Sequence, residues 1–435
     1  MIRGGRASQN TTTTREPQTT PTPGGLVPGS VLARALFAVL SGQRVVVIPS
    51  PPGAGKTTLV VDLVARLVQH SDMTIQVLTP TNAGGVNVAN LLRTKFDTDL
   101  PEGRRVRVSA SKNIANQLAH GIPQSGATRV SVSTLASESM RSAASRGTVD
   151  VTIVDEAYQS ALADVLQTVA NSRQVVMVGD PGQIGPVVTA NTSPWAHLGD
   201  LGPHCAAPHV FAARPDAVVL ELDTTYRLGQ TTVDVIAPLY SFPFTSSRPH
   251  IELVVDGVAV PELATIEVDD PDTPHDMLVM RRAVERALTL IGGTVRQGDA
   301  TRTLTSNDVA IVVSHNAQVS AINALLSTAY STYGVKADFV TVGTADSLQG
   351  GQWLAVVTVD PLLGHPQGSP HSQSTGRLCV MLSRHIAHLT VVHSPTWADA
   401  LAEQDGANNQ ERELGRTVRT RLFRHSTPTS AGMVK

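Results

Sequence analysis

The sequence predicts an α/β fold built as two tandem parallel-sheet domains, and three observations carry that expectation. Short apolar runs of strand length alternate with helix-length segments along most of the chain. The segment Ser50-Pro51-Pro52-Gly53-Ala54-Gly55-Lys56-Thr57 joins the apolar run Val45 to Ile48 to the helical stretch Leu59 to Val68. A further apolar run, Val151 to Val154, ends in adjacent carboxylates, Asp155 and Glu156. A buried strand rarely closes on paired acids unless a cation or a reactive water waits at its edge.

Taken in order, residues 1–25 are rich in Thr, Pro, Gly and Gln, with four threonines at Thr11 to Thr14, and read as a disordered tail. Residues 26–222 form the first domain. Its strand-like runs are Val45 to Ile48, Thr74 to Leu78, Val106 to Val108, Val130 to Ser133, Val151 to Val154, Val175 to Val178 and Val218 to Leu222. Residues 223–400 form the second, with an alternating set from Ile251 to His393 that includes Val309 to Val313, Phe339 to Val342, Leu354 to Val359 and Leu389 to Val392. Residues 401–435 carry Arg412, Arg416, Arg419, Arg421 and Arg424 and read as a solvated basic tail, with cover for a phosphate backbone as the second choice.

Composition sets bounds. The 435 residues suffice for two or three domains with their own cores. A net charge of −2 leaves no long-range positive field, so any nucleic-acid surface must be a local groove. The only cysteines, Cys205 and Cys379, stand far apart and suit a reducing compartment. His197, His204, Cys205 and His209 fit no standard zinc spacing. No apolar run reaches membrane-span length and no apolar signal core follows Met1, so the expected location is cytoplasmic, with no membrane partner.

The chemistry starts at the glycine-rich segment. Backbone N–H groups of the turn and of the following helix can surround a β-phosphate, so residues Pro52, Gly53, Ala54, Gly55, Lys56, Thr57 and Thr58 are candidate nucleotide-binding residues. Lys56 can reach β and γ oxygens, and the Thr57 hydroxyl suits Mg²⁺. Asp155 can hold the same metal through its water shell, while Glu156 can orient and deprotonate an attacking water. Gln183, after the run Val175 to Val178, reaches the same sheet edge with an amide able to sense a γ-phosphate. The implied ligand is a nucleoside triphosphate.

These residues, with others further on, resemble superfamily 1 helicases, and within them the B-type group that includes Upf-like, Pif-like and nidovirus helicases. Ser50 to Thr57 is similar to the group's Gly-Pro-Pro-Gly-x-Gly-Lys-Thr loop, with Ser50 in place of the first glycine. Thr79 to Asn82 and Ser133-Thr134 resemble its first nucleic-acid-contacting elements, Asp155 to Gln159 its Asp-Glu-x-x-Gln box, and Gly179 to Val188 its Gly-Asp-x-x-Gln signature. In the second half, Thr225-Tyr226-Arg227 resembles a Gln-Tyr-Arg element and Ser314 to Gln318 a Pro-Tyr-Asn-x-Gln element. Asp346 to Gly350 resembles Asp-x-x-Gln-Gly, and Arg377 to Arg384 the closing arginine motif. The likeness runs from about Leu26 to Ser394.

The resemblance implies two RecA-like domains with the triphosphate between them, ATP or another NTP with Mg²⁺ as cofactors, and single-stranded DNA or RNA as partner. It implies Lys56, Glu156, Gln183, Arg227 and Arg384 as the catalytic set, the two arginines serving as fingers on transition-state charge. Thr57 and Asp155 would hold the metal. Tyr226 would stack on the base, with Gly350 and Gln352 beside the ribose. Thr81, Asn82, Thr134, His315, Asn316 and Thr344 would contact the strand through phosphate and sugar. With aromatic residues at 3%, backbone tracking is the expected mode. The chain departs from the family in having no adenine-reading Gln near Gly29 to Leu32 and in carrying Gln352 where Glu is usual. An NTP-driven translocase of helicase type with 5′ to 3′ polarity is the expected function; a nucleotide-gated clamp that remodels a nucleoprotein without unwinding is the alternative.

Overall fold

The structure, a computed structural model, describes residues 26–99, 106–118, 128–141, 147–334, 339–365, 368–402 and 409–429. The N-terminal segment 1–25, read above as a disordered tail, lies outside the described residues.

Valine- and isoleucine-rich runs make the first sheet. Its strands are β1 (Val45–Pro49), β2 (Ile75–Thr79), β3 (Arg107–Ala110), β4 (Thr128–Thr134), β5 (Val149–Val154), β6 (Ser172–Gly179) and β7 (Ala217–Val219). They lie in the order β3-β4-β2-β5-β6-β1-β7, and every pairing is parallel. β1 and β2 are buried at every position, as strands covered on both faces must be. Burying each such Val or Ile contributes about 1.5–3 kcal/mol. The helix Lys56–His70 packs Val60, Leu63, Val64, Leu67 and Val68 into this core. Register matters for the site, because Pro49 pairs with Gly179 and Val154 with Met177, so β1, β6 and β5 end at one edge. In open parallel sheets that C-terminal edge is where ligands bind.

The second half departs from simple repetition. A short parallel pair, β8 (Thr224–Thr225) with β9 (Thr245–Ser246), leads into β10 (Ile251–Val255), β11 (Val258–Val260) and β12 (Leu263–Glu267). Then follow β13 (Thr294–Gln297), β14 (Ala300–Thr303), β15 (Val309–Val313), β16 (Thr341–Thr344), β17 (Trp353–Val359), β18 (His385–His393) and β19 (Thr427–Pro428). Six of them form an all-parallel sheet, β16-β15-β17-β18-β12-β19. The run at Ile251, read as the start of the parallel set, instead joins a four-stranded antiparallel sheet, β11-β10-β13-β14. The reason is local: Asp256 (φ 49°) and Gly257 (φ 81°) both adopt left-handed backbone, which turns β10 back on itself as a tight hairpin.

The C-terminal arginines correct the tail reading. Asn409–His425 is a helix whose Val418 and Leu422 are fully buried in the core of the second domain, and β19 beyond it pairs with β12. Arg419 is buried and bonds Asp360 twice, Nε to Oδ2 and Nη2 to Oδ1, each at 2.8 Å. Arg416 donates to the Leu401 carbonyl at 2.7 Å, Arg421 to that of Asp234 at 2.9 Å, and Arg412 to that of Ala402. Charge count alone suggested solvent; these guanidinium groups are held instead by carbonyls and a carboxylate the helix covers. This helix and β19 therefore pack with the second parallel sheet beyond residue 400.

Although burial acts to raise it, Arg419 holds the Asp360 carboxyl below its ordinary value. Asp360→Ala is expected to destabilise the second domain by about 3–5 kcal/mol, because it strands a buried guanidinium. Denaturant unfolding checks this. A depressed carboxylate stabilises above its unfolded pKa of 3.8 and loses that contribution as pH falls through the lower folded value, so the gap between wild type and variant should narrow in acid.

Candidate active site

The loop after β1 is set by its glycines. Gly53 and Gly55 take φ of 73° and 81°, and Gly55 leads directly into the helix Lys56–His70. A side chain at either would be strained. At Gly53 a Cβ would also sit 2.3 Å from the Cβ of Arg227. Ser50, where the family loop has glycine, is fully buried and donates through both its N–H (3.0 Å) and its hydroxyl (2.9 Å) to the Gly179 carbonyl. The serine thus ties the loop's start to the end of β6. Thr58 is exposed at the outer side of the first helical turn.

Carboxylates from the ends of β5 and β6 converge on Lys56 and Thr57 of this loop. Thr57 Oγ1 donates to Asp155 Oδ2 at 3.1 Å, placing two oxygen donors of the kind a hard divalent cation takes. Burial, with Glu156 adding like charge, pushes the Asp155 carboxyl upward against the pull of Lys56. Glu156 follows with φ of 51°, one of only two non-glycine residues with positive φ among those described. Strained backbone of this sort persists where a side chain must be aimed. Lys56 Nζ lies 3.5 Å from Asp180 Oδ2.

Asp180 has no role assigned from the sequence, though it stands in the stretch Gly179 to Val188 that resembles the Gly-Asp-x-x-Gln signature. It is 2% exposed, and burial raises its pKa while Lys56 opposes. Its Oδ1 accepts from the Gly182 N–H (3.0 Å) and the Tyr240 hydroxyl (2.9 Å); its Oδ2 accepts from Gln183 Nε2 (2.7 Å) and faces Lys56. Gln183 Oε1 in turn accepts from Gln349 at 3.2 Å. Tyr240, also missed, carries no sequence signal of its own, since its role depends on a fold that brings it across the cleft.

Elements of the second half close the site. Thr225 Oγ1 donates to the Pro52 carbonyl at 2.6 Å and the Tyr226 N–H to that of Gly53 at 3.0 Å, so Thr225-Tyr226-Arg227 lies on the phosphate loop itself. Tyr226 keeps 62% of its surface exposed. Arg227 donates through Nη1 to the Ser383 carbonyl at 3.3 Å, while its buried Nε has no partner. Burial and then Arg384 lower its pKa to about 10, against the attraction of Asp180 and Glu156. Arg384, 1% exposed, donates to the carbonyls of Val380 (3.2 Å) and Gly351 (3.3 Å) and to Ser383 Oγ (3.1 Å). All three nitrogens of its guanidinium are thus bonded within the second half, whereas Arg227 keeps Nε without a partner. Gly350 turns with φ of 87°, and Gln352 beside it is exposed.

The proposed strand contacts separate into two kinds. Asn82 and Asn316 are exposed where β2 and β15 give way to helices. Thr81 Oγ1 accepts from the Gly84 N–H (3.1 Å) and Thr344 Oγ1 from the Ser347 N–H (3.2 Å), each hydroxyl holding a turn while staying accessible. Thr134 differs: at 7% exposed, it caps the helix Leu135–Ser139 by accepting from Ser137 at 3.1 Å. Its hydroxyl is thus more enclosed than those of Thr81 and Thr344, which hold their turns at the surface. His315 belongs to an imidazole group that sequence reasoning missed. Its Nε2 lies 3.1 Å from His365 Nε2 and its ring stacks on His371 at 4.7 Å. Burial first, then His371, keep His315 and His365 below their ordinary pKa.

Among the described residues no helix is long and apolar enough to cross a membrane. Residues 33–198 match the family model of an AAA domain, a stretch that takes in Lys56, Asp155, Glu156 and Gln183. No curated protein matches the chain. Solved structures similar to it include the PRRSV helicase, at 19% identity and TM-score 0.43, covering 83% of this chain and 54% of that one. Arterivirus nonstructural protein 10, a helicase, is similar at 18% identity and TM-score 0.44, covering 85% and 63%. A complex of that helicase with DNA is similar at 17% identity and TM-score 0.45, covering 83% and 63%. The chain thus spans between half and two thirds of the length of these structures.

Proposed function

We propose that this chain is an NTP phosphohydrolase, with ATP the leading candidate, that drives a translocase of helicase type along single-stranded nucleic acid, on two RecA-like domains with the triphosphate held in their cleft. The observation that supports this best is Arg227: it arrives from beyond the first sheet, lies on the phosphate loop, and keeps a buried Nε without a partner beside Asp180 and Glu156. A buried cationic donor left open in this way suits a group that meets anionic oxygens when ligand is present.

Thr57 and Asp155 would hold Mg²⁺, which when bound supplies positive charge to the phosphate oxygens. The loop's N–H groups grip the β-phosphate, and Lys56 leaves Asp180 for β and γ oxygens. Glu156 orients a water and takes its proton; Gln183 reports the γ-phosphate. Arg227 stabilises equatorial oxygen charge, and Arg384 joins it only if the domains close further. Tyr226 stacks on the base, with Gly350 and Gln352 at the ribose side. The strand runs over Thr81 and Asn82 and then over His315, Asn316 and Thr344, with the 5′ to 3′ polarity expected of the B-type group.

Hydrolysis measured with and without single-stranded DNA and RNA tests the reading. Stimulation by one of them is the expected result. Binding should depend little on sequence and fall with salt, at a log-log slope of about −0.7 per phosphate neutralised. A salt-insensitive, sequence-selective complex would rule out tracking; hydrolysis without strand stimulation would favour the nucleotide-gated clamp.

A further inference from the structure

Asp180 is a buried carboxylate whose one ion pair is with Lys56, at 3.5 Å. A triphosphate that claims Lys56 leaves Asp180 with neutral donors only, and a buried anion that loses its counter-charge is costly unless hydrogen bonds remain. Three do: the Gly182 N–H, the Gln183 amide and the Tyr240 hydroxyl. The first two belong to the same turn as Asp180. Tyr240 alone comes from the second domain.

Its placement is a built one. The ring meets Phe242 and Phe244 edge-on, at centroid distances of 5.7 and 4.9 Å, inside the core that holds Leu228, Leu378 and Cys379. The phenol crosses directly over Gly182, where a Cβ would come within 2.6 Å of both Cζ and the hydroxyl. Cys379 Sγ lies 3.4 Å from that hydroxyl, and burial pushes its thiol up to about 12. The neutral thiol can donate to the phenol oxygen while the phenol hydroxyl donates its hydrogen bond to Asp180. A relay of neutral donors thus runs from the second domain's core to the lysine of the phosphate loop.

We infer that Tyr240 is a positioning residue: by holding Asp180 from the second domain, it allows Lys56 to leave for the triphosphate and makes that exchange depend on the domains being seated together. This rests on the phosphohydrolase reading above. Without the hydroxyl, Asp180 clings to Lys56, so the triphosphate must compete harder for the lysine. The effect should fall on KM, since Tyr240 touches no reacting atom.

The test is steady-state hydrolysis of Mg²⁺-ATP at saturating single strand for wild type, Tyr240→Phe, Asp180→Asn and the double variant. Tyr240→Phe keeps the ring and should raise KM roughly tenfold, the loss of a hydrogen bond to a buried charge, with kcat within about twofold. On the Asp180→Asn background, where no anion holds Lys56, the same change should shift KM by less than about twofold. Gly182→Ala, which displaces the phenol but leaves it intact, should raise KM as Tyr240→Phe does. Melting curves confirm that each variant is folded. Wild type unable to bind or hydrolyse ATP would remove the phosphohydrolase reading and this inference together. Active wild type with KM unchanged in Tyr240→Phe, or shifted equally on both backgrounds, overturns the inference alone.

Discussion

Arg227→Ala is expected to lower strand-stimulated kcat by on the order of 10³-fold while changing triphosphate affinity only a few-fold, as removal of an arginine finger does. The expectation rests on geometry. Its Nη1 contact with the Ser383 carbonyl is long at 3.3 Å, and its Nε has no partner, so the folded protein loses little when the side chain goes. What disappears is a cation placed beside Glu156 and Asp180 from the far side of the cleft. Charge on the equatorial oxygens grows only during hydrolysis, which is why binding should be spared. Arg384→Ala is a poorer probe. Three acceptors, at Val380, Gly351 and Ser383, would lose their donor, so stability and turnover would fall together. Arg377→Ala serves as control, because Arg377 pairs with Asp346 at the surface of the second domain, with Nε to Oδ2 at 3.0 Å. Single-turnover hydrolysis with saturating strand separates the cases: Arg227→Ala at wild-type rate would make the guanidinium a structural contact and favour the clamp.

The apolar runs made most of both parallel sheets legible, because strands covered on both faces need near-continuous apolar residues. The edge chemistry was legible for the same reason: residues that follow β1, β5 and β6 must emerge together once the register is fixed. What escaped depended on long-range packing. Asp180 could have been found from its segment, since a carboxylate next to Gly179 ends the neighbouring strand at the same edge. Tyr240 could not, because no local pattern tells a core tyrosine from one whose hydroxyl reaches across a cleft. The C-terminal arginines misled for the converse reason. Asp360 and the carbonyls that hold them lie as far as 187 residues away in sequence, so charge density alone pointed to solvent. Thr134 shows that a hydroxyl at such a strand end can also cap the helix that follows it.

Lys56→Ala and Glu156→Gln should fail in opposite ways, and the contrast tests the site as a whole. Lys56 is 8% exposed, and its ammonium faces Asp180, so it is held ready for phosphate oxygens in a place where water cannot replace it. Removing it takes away ground-state charge neutralisation and leaves Asp180 as an unpaired buried anion beside an anionic ligand. Triphosphate affinity should fall by about two orders of magnitude or more, as for loss of a buried charge partner. Glu156 stands differently. It is only partly buried, and its backbone is held at φ 51° at the end of β5. Gln keeps the shape and hydrogen-bonding reach but cannot accept a proton, so affinity should stay within a few-fold while turnover drops by about 10²–10⁴. Loss of the Glu156 charge also relieves its repulsion with Asp155 and Asp180, which acts on binding, tightening it if anything, and leaves kcat low. Calorimetry with Mg²⁺-ATP on folded protein, paired with single-turnover rates, distinguishes the two. Equal loss of affinity in both variants would mean that Glu156 holds the ligand rather than the water, and the base would have to be sought elsewhere in the cleft.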